Sequence, residues 1–245
     1  MIKVAICLSG FPRTTDYSLP YLKRYISDPL NADIFFYGYS DINNNLSKEY
    51  IVEKYNLKRY VIREFTPEIE KEIWENYGTS EVKHKNGNIS VINILSQYYN
   101  LFKSNELKKD HEKELNFKYD IVIRARTDYY FYREFTQEEL NIEPNTVYIP
   151  NIWDFGGVSS GFAYGNSESM DIYSNFFNKI KEYNLQDNQT FHPERLKAHH
   201  INRSGLIRQV VKNHYWWDLS DFNVNGCKDS YIEGLTTNPN RRNYK

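Results

Sequence analysis

The chain has little of what marks secreted, membrane-spanning or nucleic-acid-binding proteins. Its 245 residues contain only two cysteines, Cys7 and Cys227, so a disulfide framework and a cysteine metal cage are excluded. No apolar run approaches the roughly 20 residues of a membrane span. The first residues also lack the basic lead and the cleavage site of a signal peptide. We therefore expect a cytoplasmic protein without a transmembrane segment.

An excess of charge of either sign is also missing. The 31 basic and 32 acidic residues leave a net charge of −1, which argues against a nucleic acid as partner. Hydrophobic residues make up 40% of the chain, as in a folded domain, and the length favours a single domain over residues 1–245. Aromatic residues are abundant at 16%, including 22 tyrosines, and suit half-buried surfaces or a binding cleft.

Strand and helix patterns alternate over the first 130 residues, which favours an α/β fold with a mostly parallel sheet and helices on both faces. The predicted strands are residues 2–8, 33–37, 58–65 and 119–124, and the predicted helices are residues 17–26, 46–55 and 89–114 and a helix that begins at Pro67. Further on, the pattern predicts strands at residues 147–149, 162–164 and 206–211, and helices beginning at Asn166 and Pro193. The polar residues 226–245 read as a loose tail.

Two local patterns lead to more detailed expectations. The far end of the long helix, from Lys108 to Glu114, is almost entirely charged, which predicts a solvated surface. Thr136 and Glu139 have the spacing of a capping box that opens a short helix.

The loop after the first strand contains a small-residue turn and an arginine. Leu8, Ser9, Gly10 and Arg13 lie there without the spacing of a Walker loop or a dinucleotide fingerprint. Ligands bind at the carboxyl ends of parallel strands, so Gly10 can admit a ligand to the backbone and Arg13 can meet a phosphate or a ribose. The alternative is a tight turn with a surface arginine.

Residues 119–128 hold the most informative pattern, Tyr-Asp-Ile-Val-Ile-Arg-Ala-Arg-Thr-Asp. Alternation along a strand puts Arg124, Arg126 and Asp128 on one face if the extended backbone continues. Two guanidinium groups beside a carboxylate suit a diphosphate with its metal ion, since arginine binds phosphate oxygens in a fork and aspartate binds Mg²⁺ or Mn²⁺. The alternative is an arginine–aspartate ion-pair ladder on the sheet.

Several segments in order carry a family pattern over roughly residues 1–215. They are Ser-Gly-x-x-Arg at residues 9–13, Ala-Asp-Ile-Phe at 32–35, the segment at 119–128, Phe-Ala-x-Gly at 162–165, and a partial His-Pro-Glu-x-x-Leu match at 192–196. With them the chain resembles the GT-A class of nucleotide-sugar glycosyltransferases. It looks closest to small enzymes of bacterial polysaccharide loci and of large DNA viruses.

The resemblance implies a single GT-A-like domain that moves a sugar from a nucleoside diphosphate sugar to a glycan or glycolipid acceptor, with peripheral membrane contact left open. Residues 1–130 would bind the nucleotide and residues 145–225 the acceptor. The residues assigned to the donor are Leu8, Ser9, Gly10, Arg13, Gln97, Arg124, Arg126 and Asp128. Gln97 is assigned from its place on the polar side of the long helix, where the alternative is a solvated surface. Two alternatives remain, a glycan-binding module and a sugar-nucleotide nucleotidyltransferase.

The chain departs from the family pattern at two places. The usual Asp-x-Asp metal motif has Arg126 at its first position, so Mn²⁺ or Mg²⁺ would depend on Asp128, helped by His214, or no metal is needed. An acidic residue is also missing just before the Phe-Ala-x-Gly strand, where residues 159–161 read Ser-Ser-Gly. The candidates for the catalytic base are therefore Asp154, which can equally cap a glycine turn, and Glu194, which begins a helix.

Overall fold

The computed structural model describes residues 2–12, 14–40, 46–85 and 90–212, and the backbone of residues 215–217. Within these residues the strands are β1 (Val4–Gly10), β2 (Asp33–Ser40), β3 (Arg59–Glu64), β4 (Ile121–Arg126), β5 (Tyr129–Phe131), β6 (Thr146–Pro150), β7 (Phe162–Gly165), β8 (Ile207–Val211) and β9 (Tyr215–Trp217). The α-helices are α1 (Thr15–Leu22), α2 (Lys48–Tyr55), α3 (Pro67–Tyr77), α4 (Val91–Glu114), α5 (Ser167–Ser174), α6 (Ile180–Leu185) and α7 (Pro193–Arg203). A π-helical turn follows α1, and a short 3₁₀ helix joins α5 to α6.

Seven of the strands form one sheet in the order β3-β2-β1-β4-β7-β6-β8. The first four of these run parallel, β7 is antiparallel to both of its neighbours, and β8 is parallel to β6. The strands β5 and β9 make a separate antiparallel ribbon. The predicted α/β fold with a mostly parallel sheet is confirmed.

Alternate residues of the buried strands supply two apolar cores, one on each face of the sheet. On one face, Val122 packs with residues of α3 to α7; on the other, Ile121 and Ile123 pack with residues of α1 and α2. Because side chains alternate along a strand, Arg124 and Arg126 share the face of Val122. The helices predicted for both faces are present.

The end of α4 is where the sequence prediction was wrong. Lys108 is fully buried and Glu112 is 2% exposed, although both lie in the stretch predicted to be solvated. Lys108 Nζ donates to Glu112 Oε2 at 3.1 Å, to Ser167 Oγ at 2.6 Å and to Asp171 Oδ1 at 2.8 Å. Mutual pairing with α5 allows these charges to leave water, and composition alone did not reveal those partners.

The predicted capping box forms, but the short helix that it was expected to open does not. Glu139 Oε2 accepts from the Thr136 amide at 2.9 Å, and the Glu139 amide donates to Thr136 Oγ1 at 3.3 Å. These reciprocal hydrogen bonds close a turn, and no helix follows in residues 137–140.

The sheet runs through both halves of the sequence, since β4 pairs with β7 in register from Val122 opposite Gly165 to Ala125 opposite Phe162. The proposed division of labour between residues 1–130 and 145–225 stays a prediction. The predicted loose tail, 226–245, lies outside the described residues. Of the helices that the structure describes, none is long and apolar enough to cross a bilayer.

Candidate functional site

The carboxyl ends of β1 and β4 meet at one edge of the sheet. Ser9 lies beside Arg126 in the parallel register, and Leu8, which is buried in the core, lies beside Ala125. Gly10 has a φ of +106°, and apart from its chain neighbours no atom of the described residues lies within 4 Å of the place where a β-carbon would stand. Glycine adopts this backbone conformation readily, and the space before it is open, which suits a ligand that approaches the backbone.

The turn after β4 contains an ion pair between Arg126 and Asp128. Arg126 Nε donates to Asp128 Oδ1 at 2.8 Å, and a second guanidinium nitrogen bonds to Oδ2. The strand ends at Arg126, so the extended backbone does not continue to Asp128 as the alternation required. Thr127 fixes the turn, because its hydroxyl donates to Phe11 O at 2.8 Å and its carbonyl accepts from Ser18 Oγ at 2.6 Å.

One strand position deeper, Arg124 is completely buried. None of its three guanidinium nitrogens has a hydrogen-bond partner among the described residues. A guanidinium stays charged in a protein, and a buried charge without a partner is costly. The position therefore has the physical character of a binding site for an anion.

The carboxylate of Glu194 lies close enough to Arg126 for the two charges to interact. Its Oε1 accepts from Ser160 Oγ at 3.0 Å, and Ser160 Oγ in turn lies 3.5 Å from Gln97 Nε2. Burial raises the pKa of Glu194 above its ordinary value, and the hydrogen bond from Ser160 and the charge of Arg126 offset part of that rise. We call Arg126, Asp128, Ser160 and Glu194 the edge site.

The first turn of α7 delivers Glu194 to the edge site. Pro193 occupies the first helical position, where its missing N–H costs nothing, and the His192 ring lies 3.2 Å from Glu194 Oε2 through Nδ1. Burial, followed by the charge of Arg195, lowers the pKa of His192. A β-carbon on Gly157 would lie 2.2 Å from Glu194 O, so only glycine lets the preceding loop pack here.

Asp154, the other candidate base, lies in that loop. Its Oδ1 accepts from the Gly156 amide at 3.3 Å, and its carbonyl accepts from the Gly157 amide at 2.6 Å. These contacts match the turn-capping alternative. A catalytic role for Asp154 stays a prediction.

The described residues fit a divalent metal ion poorly. Both oxygens of Asp128 are engaged by Arg126. Within the described ranges no group of three or more His, Cys, Asp or Glu side chains is placed to hold an ion. Two predicted ligands, Arg13 for the donor and His214 for the metal, lie outside the described residues.

The sequence analysis assigned no role to three residues in or near the site. Tyr98 Oη donates to Pro193 O at 3.3 Å, Ser160 bonds Glu194, and Lys197 is fully buried one turn after Glu194. Lys197 carried one signal, because it shares a helix face with the apolar Ile201 four positions on. The pairing of Ser160 with Glu194 bridges 34 residues and had no local signal.

The fold and the site together define an α/β domain with a cation-lined site at the carboxyl edge of its sheet. Residues 1–204 match the family described as a domain of unknown function (DUF7796), so the chain belongs to that family. No curated protein matches the sequence. The structure is similar to mouse xyloside xylosyltransferase 1 in its apo form, with a TM-score of 0.44 and 12% identity over 84% of this chain and 85% of that chain. At that identity and TM-score, the likeness assigns no substrate and no residue role.

Proposed function

We propose that the chain is a glycosyltransferase that moves a sugar from a nucleoside diphosphate sugar to a hydroxyl group of a glycan or glycolipid. The observation that carries the proposal is the buried guanidinium of Arg124, which has no hydrogen-bond partner among the described residues, together with Arg126 and the nearby carboxylate of Glu194. The motif resemblance at residues 119–128 supports the same reading.

The arginines account for the leaving group. A nucleoside diphosphate departs with negative charge, and guanidinium groups bind phosphate oxygens through paired N–H donors. Arg124 and Arg126 lie on the same face of β4, two residues or about 6.6 Å apart along the strand. Asp128 holds the guanidinium of Arg126 in one orientation, and this orientation favours a fixed docking geometry for the diphosphate.

Glu194 is the group that activates the acceptor hydroxyl in this proposal. In an inverting reaction, its carboxylate takes the proton of the acceptor hydroxyl while that oxygen bonds to the anomeric carbon of the sugar. The bond from this carbon to the diphosphate oxygen breaks, and its electron pair leaves with the diphosphate. Burial makes the Glu194 carboxylate more basic than an exposed one, which is what proton abstraction near neutral pH requires.

A thermal-shift panel of UDP, GDP, CMP, dTDP and ADP, each with and without Mn²⁺, tests the donor site. A ligand at about 100 times its Kd adds about 2.7 kcal/mol of stability, which raises Tm by several degrees. We expect one nucleotide to give such a shift and Arg126→Gln to abolish it.

The matched control is Arg203→Gln, the same substitution at an arginine outside the edge site. Arg203 is the last residue of α7 and bonds Glu182 on the surface. This variant should leave the nucleotide shift intact. If no nucleotide raises Tm, the proposed function is wrong. In a companion assay, release of the nucleoside diphosphate from its sugar nucleotide should also require Glu194.

A further inference from the structure

Two cations, Arg124 and Lys197, are completely buried behind the edge site, and we call them the buried cation pair. Lys197 Nζ donates to Tyr173 O at 3.2 Å and lies 3.9 Å from the Tyr173 ring centroid and 4.2 Å from that of Phe176. The guanidinium of Arg124 has no hydrogen-bond partner within the described ranges. Lys197 thus has a carbonyl and aromatic rings around its ammonium, whereas the guanidinium of Arg124 has no such hydrogen bond.

No acidic side chain of the described residues forms an ion pair with either cation, in contrast to Lys108 in the same core. Two like charges in a low-dielectric interior repel, and burial adds to the cost of each. Burial, followed by the charge of Arg124, lowers the pKa of Lys197 well below its ordinary value. The lysine can lose its proton, whereas the arginine cannot, so an uncompensated positive charge remains at Arg124.

The edge site, in turn, offers a metal ion little to bind. A metal between a diphosphate and Asp128 would have to share the carboxylate with Arg126, which bonds both of its oxygens. The positive charges of Arg124 and Arg126 would also repel a metal ion. An anion at the same place would be attracted by both charges.

We propose that the phosphates of the nucleotide donor bind at the edge site to Arg126, next to the buried charge of Arg124, without a divalent cation, and that Lys197 takes up a proton as they bind. This inference rests on the proposed function. The diphosphate supplies the counter-charge that no described acidic side chain gives to Arg124, and the positive charge regained at Lys197 takes the place of a metal ion. Lys197 acts here as a positioning residue, through Arg124 and the phosphates.

Other groups around Lys197 must be separated from it in a test of proton uptake. Arg124 faces it from β4, and the phenols of Tyr98 and Tyr173 face it from α4 and α5. His200 and Glu194 share its helix. Burial lowers the pKa of His200 to about 3, so this ring does not take the proton. Glu194 is the real competitor, because a bound anion would also raise its pKa.

Isothermal titration calorimetry tests the inference. The whole chain, freed of metal with a chelator, is titrated with each of UDP, GDP, dTDP and ADP at about pH 8, where a terminal phosphate is fully ionised. Two buffers of different ionisation enthalpy report the protons taken up. We expect the Kd to change less than about twofold when Mn²⁺ replaces the chelator, with uptake of up to about one proton per nucleotide.

Variants show which residue takes up the proton. Lys197→Met should abolish the uptake and weaken binding roughly tenfold or more, because it removes the charge but keeps an unbranched side chain of nearly the same length. Glu194→Gln should retain the uptake. Lys109→Met, on the exposed side of α4, is the matched lysine control and should change neither quantity. Arg126→Gln, at a partly exposed position, should also weaken binding and does not depend on how the core tolerates methionine.

The outcomes separate the two proposals. Binding that requires Mn²⁺ overturns the metal-free site but leaves the glycosyltransferase intact. If Lys197→Met changes neither the metal-free binding nor the proton uptake, the proposed role of the buried cation pair is overturned. Absence of binding under both conditions overturns the proposed function and this inference together.

Discussion

At the scale of single residues, the hydrogen bond between Ser160 and Glu194 connects the segment before β7 to the first turn of α7. The resemblance implies an acidic residue just before the Phe-Ala-x-Gly strand, and the chain has Ser160 near that point. In the structure Ser160 Oγ lies 3.0 Å from a Glu194 carboxylate oxygen. A carboxylate thus stands beside this strand after all, supplied by α7.

A pH profile tests Glu194 as the base. Its carboxylate works only when ionised, and burial raises its pKa above the ordinary 4.5, so we expect kcat/KM to fall as the pH drops through that raised value. Ser160→Ala removes a hydrogen bond that lowers the pKa of Glu194. The acid limb of this variant should therefore move to higher pH.

Glu194→Gln should lose about 10²- to 10⁴-fold in turnover and keep nucleotide binding. Thr136→Ala removes a hydroxyl hydrogen bond of similar length at Glu139, outside the edge site, and should leave the profile in place. An acid limb that Ser160→Ala leaves unmoved contradicts the assignment of that limb to Glu194.

The sequence suggested part of this geometry and missed part of it for a physical reason. Arg126 and Asp128 are two residues apart, so a local pattern was enough to suggest their pairing, although as one of two alternatives. The approach of Glu194 to Ser160 and Arg126 depends on where α7 packs in the fold, which no periodicity encodes. The burial of Lys197 depends on the same packing.

At the scale of elements, the buried charges of α4 and α5 are a stability device. Lys108 and Glu112 pair with Ser167 and Asp171, and Glu112 Oε1 also accepts from the Tyr119 amide at 3.0 Å. Burial alone would raise the pKa of Glu112, but Ser167, Tyr119 and Lys108 together hold it below its ordinary value. A lowered pKa means that this stabilisation is present near neutral pH and is lost as the pH falls.

Removal of one member should be costly. Lys108→Met removes the buried ammonium between Glu112 and Asp171 and leaves them only the more exposed Lys118, so we expect the free energy of unfolding to fall by about 3 kcal/mol in urea titrations near pH 7. Lys109→Met breaks an exposed pair with Glu106 and should cost under about 1 kcal/mol. The difference between the two variants should shrink at low pH as Glu112 becomes protonated. Equal effects at pH 7 would show that the buried cluster adds nothing specific.

Strong periodicity made most elements predictable. Apolar runs identified β1, β2 and β4, and Pro67 and Pro193 marked the first residues of α3 and α7. The helix predicted to begin at Asn166 is real but is interrupted by a 3₁₀ segment before α6. The β5–β9 ribbon was not predicted, because its partners are some 85 residues apart and each strand has three residues.

At the scale of the whole molecule, one sheet unites the nucleotide and acceptor halves that the resemblance implies. Alternation of strands and helices was enough to predict the α/β class, since buried parallel strands need helices on both faces. The strand order was beyond such reasoning. In particular, β7 inserts between β4 and β6, and this places the residues before β7 beside the arginines of β4.

This order predicts a single unfolding unit. Trp74 of α3 packs against the same apolar core as Ile149 of β6 and Tyr173 of α5, so neither half can lose its structure without exposing the core of the other. Denaturant unfolding followed by tryptophan fluorescence and by far-UV circular dichroism should therefore give coincident midpoints. A nucleotide that binds the edge site should move both midpoints together, because binding to the folded state stabilises the whole cooperative unit. Separate midpoints would mean that the halves fold independently and that the β4–β7 ladder does not couple them.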